Sequence, residues 1–314
     1  MCKSKVLVIK HGALGDFVNS LRVMSALKKR HPDSCFVLIT QSFLKKLAEK
    51  TGFFDEIVID NRTYSPKDWW RVVKKTLADI PYEYIYDLQT NNRTLKRYAP
   101  LARFATRNEM KWAVRVEGGF DVYSTPAKRA FSYKRPKLEH ITLELEAPDL
   151  SFIHGEGKFF HLLPERYALL IPGCSANNRQ KRWPPARYRE LSLWLGAKGI
   201  KSVVLGTNSE SAEIGAITKD NPNAVDFMGK SEIADIPDIA SRALVIIGND
   251  TGPTHIARRV NTPSVICFTE FDASRAAPKG DKLVTSLVGK KIEDIQLEEV
   301  KRAVAAALGE RENG

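Results

Sequence analysis

No apolar run in the 314-residue chain approaches the ~20 residues that a membrane-crossing helix needs. The four cysteines, Cys2, Cys35, Cys174 and Cys267, are scattered and form no Cys-x-x-Cys pair. That argues against a zinc site or a disulfide framework and fits a reducing cytoplasm. There is no Asp-x-Asp pair of the kind that holds a divalent ion at a diphosphate. The basic start, Met-Cys-Lys-Ser-Lys, runs into a strand-length stretch and a glycine turn, so it does not read as a signal peptide. The first glycine turn lacks the G-x-G-x-x-G spacing of a dinucleotide site, and no Gly-Lys-Ser/Thr makes it a Walker loop. RRM, KH and helix-turn-helix signatures are absent too, which leaves a nucleic-acid-binding protein as a weak alternative.

What the chain does have is a strong basic balance, unevenly placed. The net charge is +12. Residues 1–160 hold 28 Lys+Arg against 18 Asp+Glu, whereas residues 161–314 hold 21 against 19. The excess points to an acidic partner on the first half: a phosphorylated substrate, an anionic lipid surface or nucleic acid.

The elements alternate. Lys5–Lys10 reads as a buried strand, His11–Asp16 as a glycine turn, and Phe17–Lys28 as a helix stopped by His31-Pro32. Cys35–Thr40 and Glu56–Asp60 read as strands, with Ser42–Lys50 as the helix between them. This is the doubly wound βαβαβ pattern. Trp69, Trp70, Val73 and Leu77 follow a helical period, and Tyr84–Leu88 is a further strand. Arg103–Arg115 interleaves basic residues with Trp112, and Glu117–Lys137 resists assignment. Ala147–Leu163 has the Pro, Gly and charge content of a linker. The expected domains are therefore 1–155 and 156–314.

In the second half, strands are expected at Tyr167–Ile171, Ser202–Leu205, Ala224–Met228, Ala243–Ile247 and Pro263–Phe268. Glu293–Leu308 reads as a charged amphipathic helix that packs back across both domains. Three polar loops leave strand carboxyl ends: Gly173–Lys181, Gly206–Glu210 and Asp250–His255. Ligands of open α/β sheets bind at such ends. A lysine and hydroxyls suit phosphates, and a carboxylate suits ribose hydroxyls. The plain alternatives are an N-cap for Asp16, Asp250 or Thr251, a first-turn residue for Glu210, and solvated charges for Arg179, Lys181 and His255.

Lys10-x-Gly12-x-x-Gly15-Asp16, Lys181-Arg182-Trp183-Pro184, Gly206-x-x-x-Glu210 and Asn249-Asp250-Thr251-Gly252-Pro253-Thr254-His255, in that order, resemble glycosyltransferase family 9, the lipopolysaccharide heptosyltransferases. The resemblance implies a GT-B architecture, with two Rossmann-like doubly wound domains facing each other across a cleft. It implies an acceptor on the first domain and an ADP-sugar on the second. The implied chemistry is an inverting, metal-independent transfer of heptose from ADP-heptose to the inner core of lipopolysaccharide, with no cofactor.

By the same resemblance, Asp16 is the general base and Lys181 meets the donor phosphates. Glu210 binds the ribose, and Asp250, Thr251, Gly252, Thr254 and His255 form the turn at the sugar and diphosphate. Ser175, beside Ala176, lies near the family's phosphate-binding hydroxyl pair. Gly12, Gly15, Arg62, Arg93, Arg97, Arg107, Lys111 and Arg115 are candidates for the anionic glycolipid acceptor, since arginine clamps carboxylates and phosphates bidentately. Arg258-Arg259 departs from the small apolar residues usual after the histidine, which keeps another nucleotide-sugar or acceptor open. The implied location is cytoplasmic, in peripheral contact with the anionic inner face of the inner membrane.

Overall fold

The computed structural model describes residues 4–63, 65–76, 82–90, 97–98, 111–118, 121–124, 137–144, 159–174, 176–278 and 281–312. The chain divides into two compact units, Met1–Pro148 and Asp149–Gly314.

In the first unit, β1 (Ser4–Ile9), β2 (Ser34–Thr40), β3 (Glu56–Ile59), β4 (Tyr82–Asp87) and β5 (Lys111–Gly118) form a parallel sheet. Its order is β3-β2-β1-β4-β5-β6, with β6 (Asp121–Ser124) antiparallel to β5 and β7 (Lys137–Thr142) also on β5. Val6–Ile9 and Phe36–Ile39 are wholly buried, as strands covered on both faces by helices must be. Helix α1 (Leu14–Arg30) buries Phe17, Val18, Leu21, Met24 and Leu27, a 3.6-residue stripe. It ends where His31-Pro32 cannot continue it. Helices α2 (Lys45–Lys50) and α3 (Pro66–Thr76) follow β2 and β3.

The second unit repeats the plan with six parallel strands, ordered β10-β9-β8-β11-β12-β13. These are β8 (Tyr167–Ile171), β9 (Lys201–Val204), β10 (Ala224–Asp226), β11 (Val245–Asn249), β12 (Ser264–Thr269) and β13 (Val284–Gly289). The helices are α4 (Pro185–Gly196), α5 (Ser211–Thr218), α6 (Ile236–Ser241), α7 (Gly252–Ala257), α8 (Glu270–Ala276) and α9 (Leu297–Glu312). Helix α9 buries Val300, Val304 and Ala307 in this unit's own core, beside Trp183 and Tyr188.

Three expectations change. The end of the basic-aromatic stretch is strand β5, whose pairing with β7 shifts register between Ala113 and Arg115. The unassigned Glu117–Lys137 region contributes β6, and β7 begins at Lys137. Cys35, on β2, is disulfide-bonded, although the scattered cysteines argued against a disulfide framework, while Cys174 and Cys267 are buried thiols.

Candidate functional site

Each sheet reverses its strand order at one place: between β1 and β4 in the first unit, and between β8 and β11 in the second. Carboxyl ends at such switch points open the crevice in which α/β proteins bind ligands. The sequence motifs fall on these two places.

In the first unit, the turn after β1 is built around Gly12, whose φ of +122° disfavours any side chain. A Cβ there would also lie 3.2 Å from Cζ of Phe43. Gln89, just after β4, clamps the turn across the switch point. Its Oε1 accepts from the N–H groups of His11 (3.0 Å) and Gly12 (3.3 Å), and its Nε2 donates to the Gly12 carbonyl (3.1 Å).

The turn delivers Asp16 to the first turn of α1, exposed. Asp16 is not the N-cap; Ala13 holds that position and offers no side-chain bond. Gly15 lies beside it within the helix. Beneath the turn, Lys10 is buried and donates to the Leu88 carbonyl at 3.0 Å. Burial lowers its pKa, against the pull of Asp16 and Asp87.

Beside this turn runs a buried relay that no motif announced. Tyr98 donates its hydroxyl proton to Asp60 Oδ2 at 2.5 Å and receives a hydrogen bond from His11 Nε2 at 2.8 Å. His11 is thus the neutral Nε2–H tautomer, and burial pushes its pKa down to about 4. Asp60 also takes a bidentate pair from Arg97, at 2.6 and 2.8 Å, and accepts from the Arg62 N–H at 2.7 Å.

Arg97 is therefore held by Asp60 and the Thr63 carbonyl. Arg62, at φ +59°, reaches Gln41 Oε1 with one nitrogen at 2.9 Å and stays beside the glycine turn. Lys111 starts β5, at the opposite end of the sheet from Gly12, and bonds Tyr84 Oη at 2.9 Å. Arg115 pairs with Glu117 at 2.6 Å. Arg93 and Arg107 lie outside the described residues.

In the second unit, Trp183 is fully buried and pins the loop after β8. Its indole N–H donates to the Ile295 carbonyl at 2.9 Å, and its backbone N–H donates to Asn249 Oδ1 at 3.1 Å. Asn249 Nδ2 in turn donates to the Pro172 carbonyl at 2.7 Å, which ties β11 to β8. Arg182, buried, binds Glu213 and the Cys174 carbonyl. With Arg182 and Trp183 anchored, Lys181 is aimed at the loop after β11.

The Lys181 Nζ lies 2.8 Å from Asp250 Oδ2 and 2.6 Å from Asp272 Oδ1. Burial works against its charge, but hydrogen bonds to Asp250 and Asp272 prevail and raise its pKa. Asp272 was not expected; it sits in the first turn of α8 and bonds the N-cap Thr269, whose Thr-x-x-Asp spacing was a readable capping signal.

Asp250 Oδ1 accepts from His255 Nε2 at 2.9 Å, and His255 Nδ1 receives Arg258 Nε at 3.3 Å. Burial and Arg258 outweigh Asp250 and lower the histidine pKa. His255 is thus buried and neutral rather than solvated, and both its nitrogens are engaged. Thr254 is buried against Gly248, where a Cβ would lie 2.5 Å from its Oγ1. Thr251 and Gly252 remain accessible, with Thr251 at the N-cap position. Glu210 Oε2 closes a capping box with Thr207 at 2.8 and 2.9 Å, and its Oε1 lies over Gly173 at the end of β8. Ser175 lies outside the described residues.

Comparisons with known proteins agree with this fold. The model of "Glycosyltransferase family 9 (heptosyltransferase)" matches residues 73–304. The lipopolysaccharide heptosyltransferase 1 of Campylobacter coli is 23% identical, over 92% of this chain and 90% of its own. A family 9 glycosyltransferase structure from Veillonella parvula superposes with TM-score 0.77 at 17% identity, covering 98% of each chain. The E. coli ADP-heptose LPS heptosyltransferase II gives TM-score 0.71 at 19% identity, covering 98% of this chain and 99% of that one. The fold is thus GT-B, two Rossmann-like units in one chain. With its motifs seated at both switch points and most of its length matched, the chain is a glycosyltransferase belonging to family 9, the heptosyltransferases.

Proposed function

We propose that the protein transfers a heptose from ADP-heptose to the inner core of lipopolysaccharide, by an inverting displacement that needs neither metal ion nor cofactor. The acceptor hydroxyl oxygen attacks the anomeric carbon. The bond from that carbon to the diphosphate oxygen breaks, ADP departs, and Asp16 takes the hydroxyl proton. The substrates come from the named relatives, which are lipopolysaccharide heptosyltransferases. The observation that carries the reading is Lys181, a half-buried ammonium aimed at the second switch point. A cation fixed there offsets the charge developing on the leaving diphosphate.

The accessible Thr251 and Gly252 belong to the same subsite, and the Oε1 of Glu210 suits the ribose hydroxyls. Asp250, Thr254 and His255 shape that turn from beneath. On the first unit, Arg62 beside Gly12 suits an acceptor carboxylate or phosphate. The acceptor is lipid-linked, which sets the enzyme at the cytoplasmic face of the inner membrane.

A second reading, another nucleotide-sugar on the same scaffold, is favoured by Arg258. It is buried against His255 and reaches Asp281 at 3.5 Å. The test is incubation with a panel of nucleotide-sugars and a truncated core acceptor, with the product weighed by mass spectrometry. A heptosyl mass increment with ADP-heptose, undiminished by EDTA, is the expected result. Transfer from a different donor alone sinks the heptose assignment, and activity abolished by EDTA and restored by Mg²⁺ sinks metal independence.

A further inference from the structure

Helix α3 divides cleanly into two faces. Val72, Val73 and Thr76 are buried, and Trp69 on the same side donates its indole N–H to the Arg97 carbonyl at 3.0 Å. The other face carries Lys67, Trp70, Arg71 and Lys74 at spacings of three, four and seven, all exposed. The apolar stripe expected from the sequence is thus split: Trp69 turns inward, whereas Trp70 is 46% exposed. Arg71 pairs with Asp68 at 2.7 Å, and no ion pair joins Lys67 or Lys74 to another described residue. A large aromatic flanked on one helix face by cations is the composition that settles at the interface of an anionic bilayer. The indole enters the headgroup layer while lysine stems keep their charges in water.

We propose that this face of α3 docks the protein on the surface of an anionic phospholipid bilayer. The proposal deepens the lipid-linked acceptor reading above and rests on it for its purpose. The placement serves that purpose. Helix α3 follows the carboxyl end of β3, the sheet end that also carries Gly12 and Arg62. A cavity of about 250 Å³ lined by Asp60, Asn61, Thr63, Arg71 and Lys75 adjoins the helix and this end of β3. An acceptor anchored in the bilayer would therefore be held near the residues proposed to read it. Single-stranded RNA is the poorer fit, since it stacks successive bases on several aromatics and this face offers one.

The test is co-sedimentation of the full chain with vesicles of phosphatidylcholine alone or mixed with equal parts phosphatidylglycerol. Wild type should bind only the mixed vesicles, and binding should weaken as salt rises. A Lys67→Gln/Lys74→Gln variant should lose about fivefold in partitioning per charge. Trp70→Ala should lose roughly tenfold and Trp70→Phe much less. Unchanged thermal melting would show these exposed substitutions leave the fold intact. Equal binding to neutral vesicles, no binding to either, or variants that bind like wild type would each overturn the proposal. So would RNA binding that the same variants lose while vesicle binding persists. Transfer to a delipidated acceptor is measured alongside. If it proceeds in wild type without vesicle binding, the docking face fails while the heptosyl reading stands; if it fails while docking holds, the reverse is true.

Discussion

Asp272 Oδ1 lies 2.6 Å from Lys181 Nζ, closer than the 2.8 Å of Asp250 Oδ2 on the same ammonium. Two carboxylates thus share one cation, and the pair carries more negative charge than the lysine neutralises. A diphosphate entering this place competes with them for Lys181. Asp272 therefore positions the ammonium and also restrains it. Asp272→Asn should lower kcat roughly tenfold while donor KM does not rise, because one competing carboxylate is gone and Asp250 still holds the lysine. Lys181→Ala should lower kcat and weaken ADP binding together. Steady-state donor titrations separate the two; a kcat for Asp272→Asn within twofold of wild type would remove Asp272 from the mechanism.

Asp16 stands exposed in the first turn of α1 without capping it, its charge facing the helix N-terminus and pulling on the buried Lys10. Asp16→Asn should leave melting temperature and ADP affinity intact while kcat falls roughly 10²–10⁴-fold, the usual contribution of a general base. Turnover within a few-fold of wild type would exclude that role.

The two arginines on either side of Asp60 should part company. Arg97 is held bidentately by a buried carboxylate, and removing it strands that charge. Arg97→Ala should cost roughly 3 kcal/mol of stability, as breaking a buried pair does. Arg62→Ala should instead leave stability nearly unchanged and raise acceptor KM, with an effect that shrinks at high salt. Denaturant titration and a two-substrate kinetic matrix read the two outcomes. An acceptor KM indifferent to both Arg62→Ala and salt would detach the basic half from acceptor binding.

His11 makes stability depend on pH. Burial lowers its folded pKa to about 4, against an ordinary value near 6.5. Between those values the unfolded chain binds a proton that the native one does not, so native stability falls as pH drops through the window. From pH 7 to pH 5 the loss from His11 should be roughly 2 kcal/mol, and His11→Gln should remove that part of the slope. Equal slopes for wild type and variant in denaturant titrations at the two pH values would show that another group carries the dependence.

The sequence by itself determined the two doubly wound halves, because continuous β-branched runs bounded by glycine turns allow few alternatives to buried parallel strands. It also located the carboxyl-end loops, since a glycine turn follows the first strand and Trp183-Pro184 must end a loop and begin a helix. Roles that depend on partners far along the chain were decided only by the tertiary structure. Arg62 and Arg97 look alike as residues, yet Asp60 and Tyr98 absorb one and leave the other at the sheet edge. Asp272 is an ordinary capping residue until β12 brings α8 beside the loop of Lys181. Trp69 and Trp70 are adjacent and chemically the same, and only the packing of α3 turned one inward and left the other in solvent. Periodicity and turn chemistry are local and can be read from residues in order; charge pairing and burial depend on which distant elements the folded sheet makes neighbours.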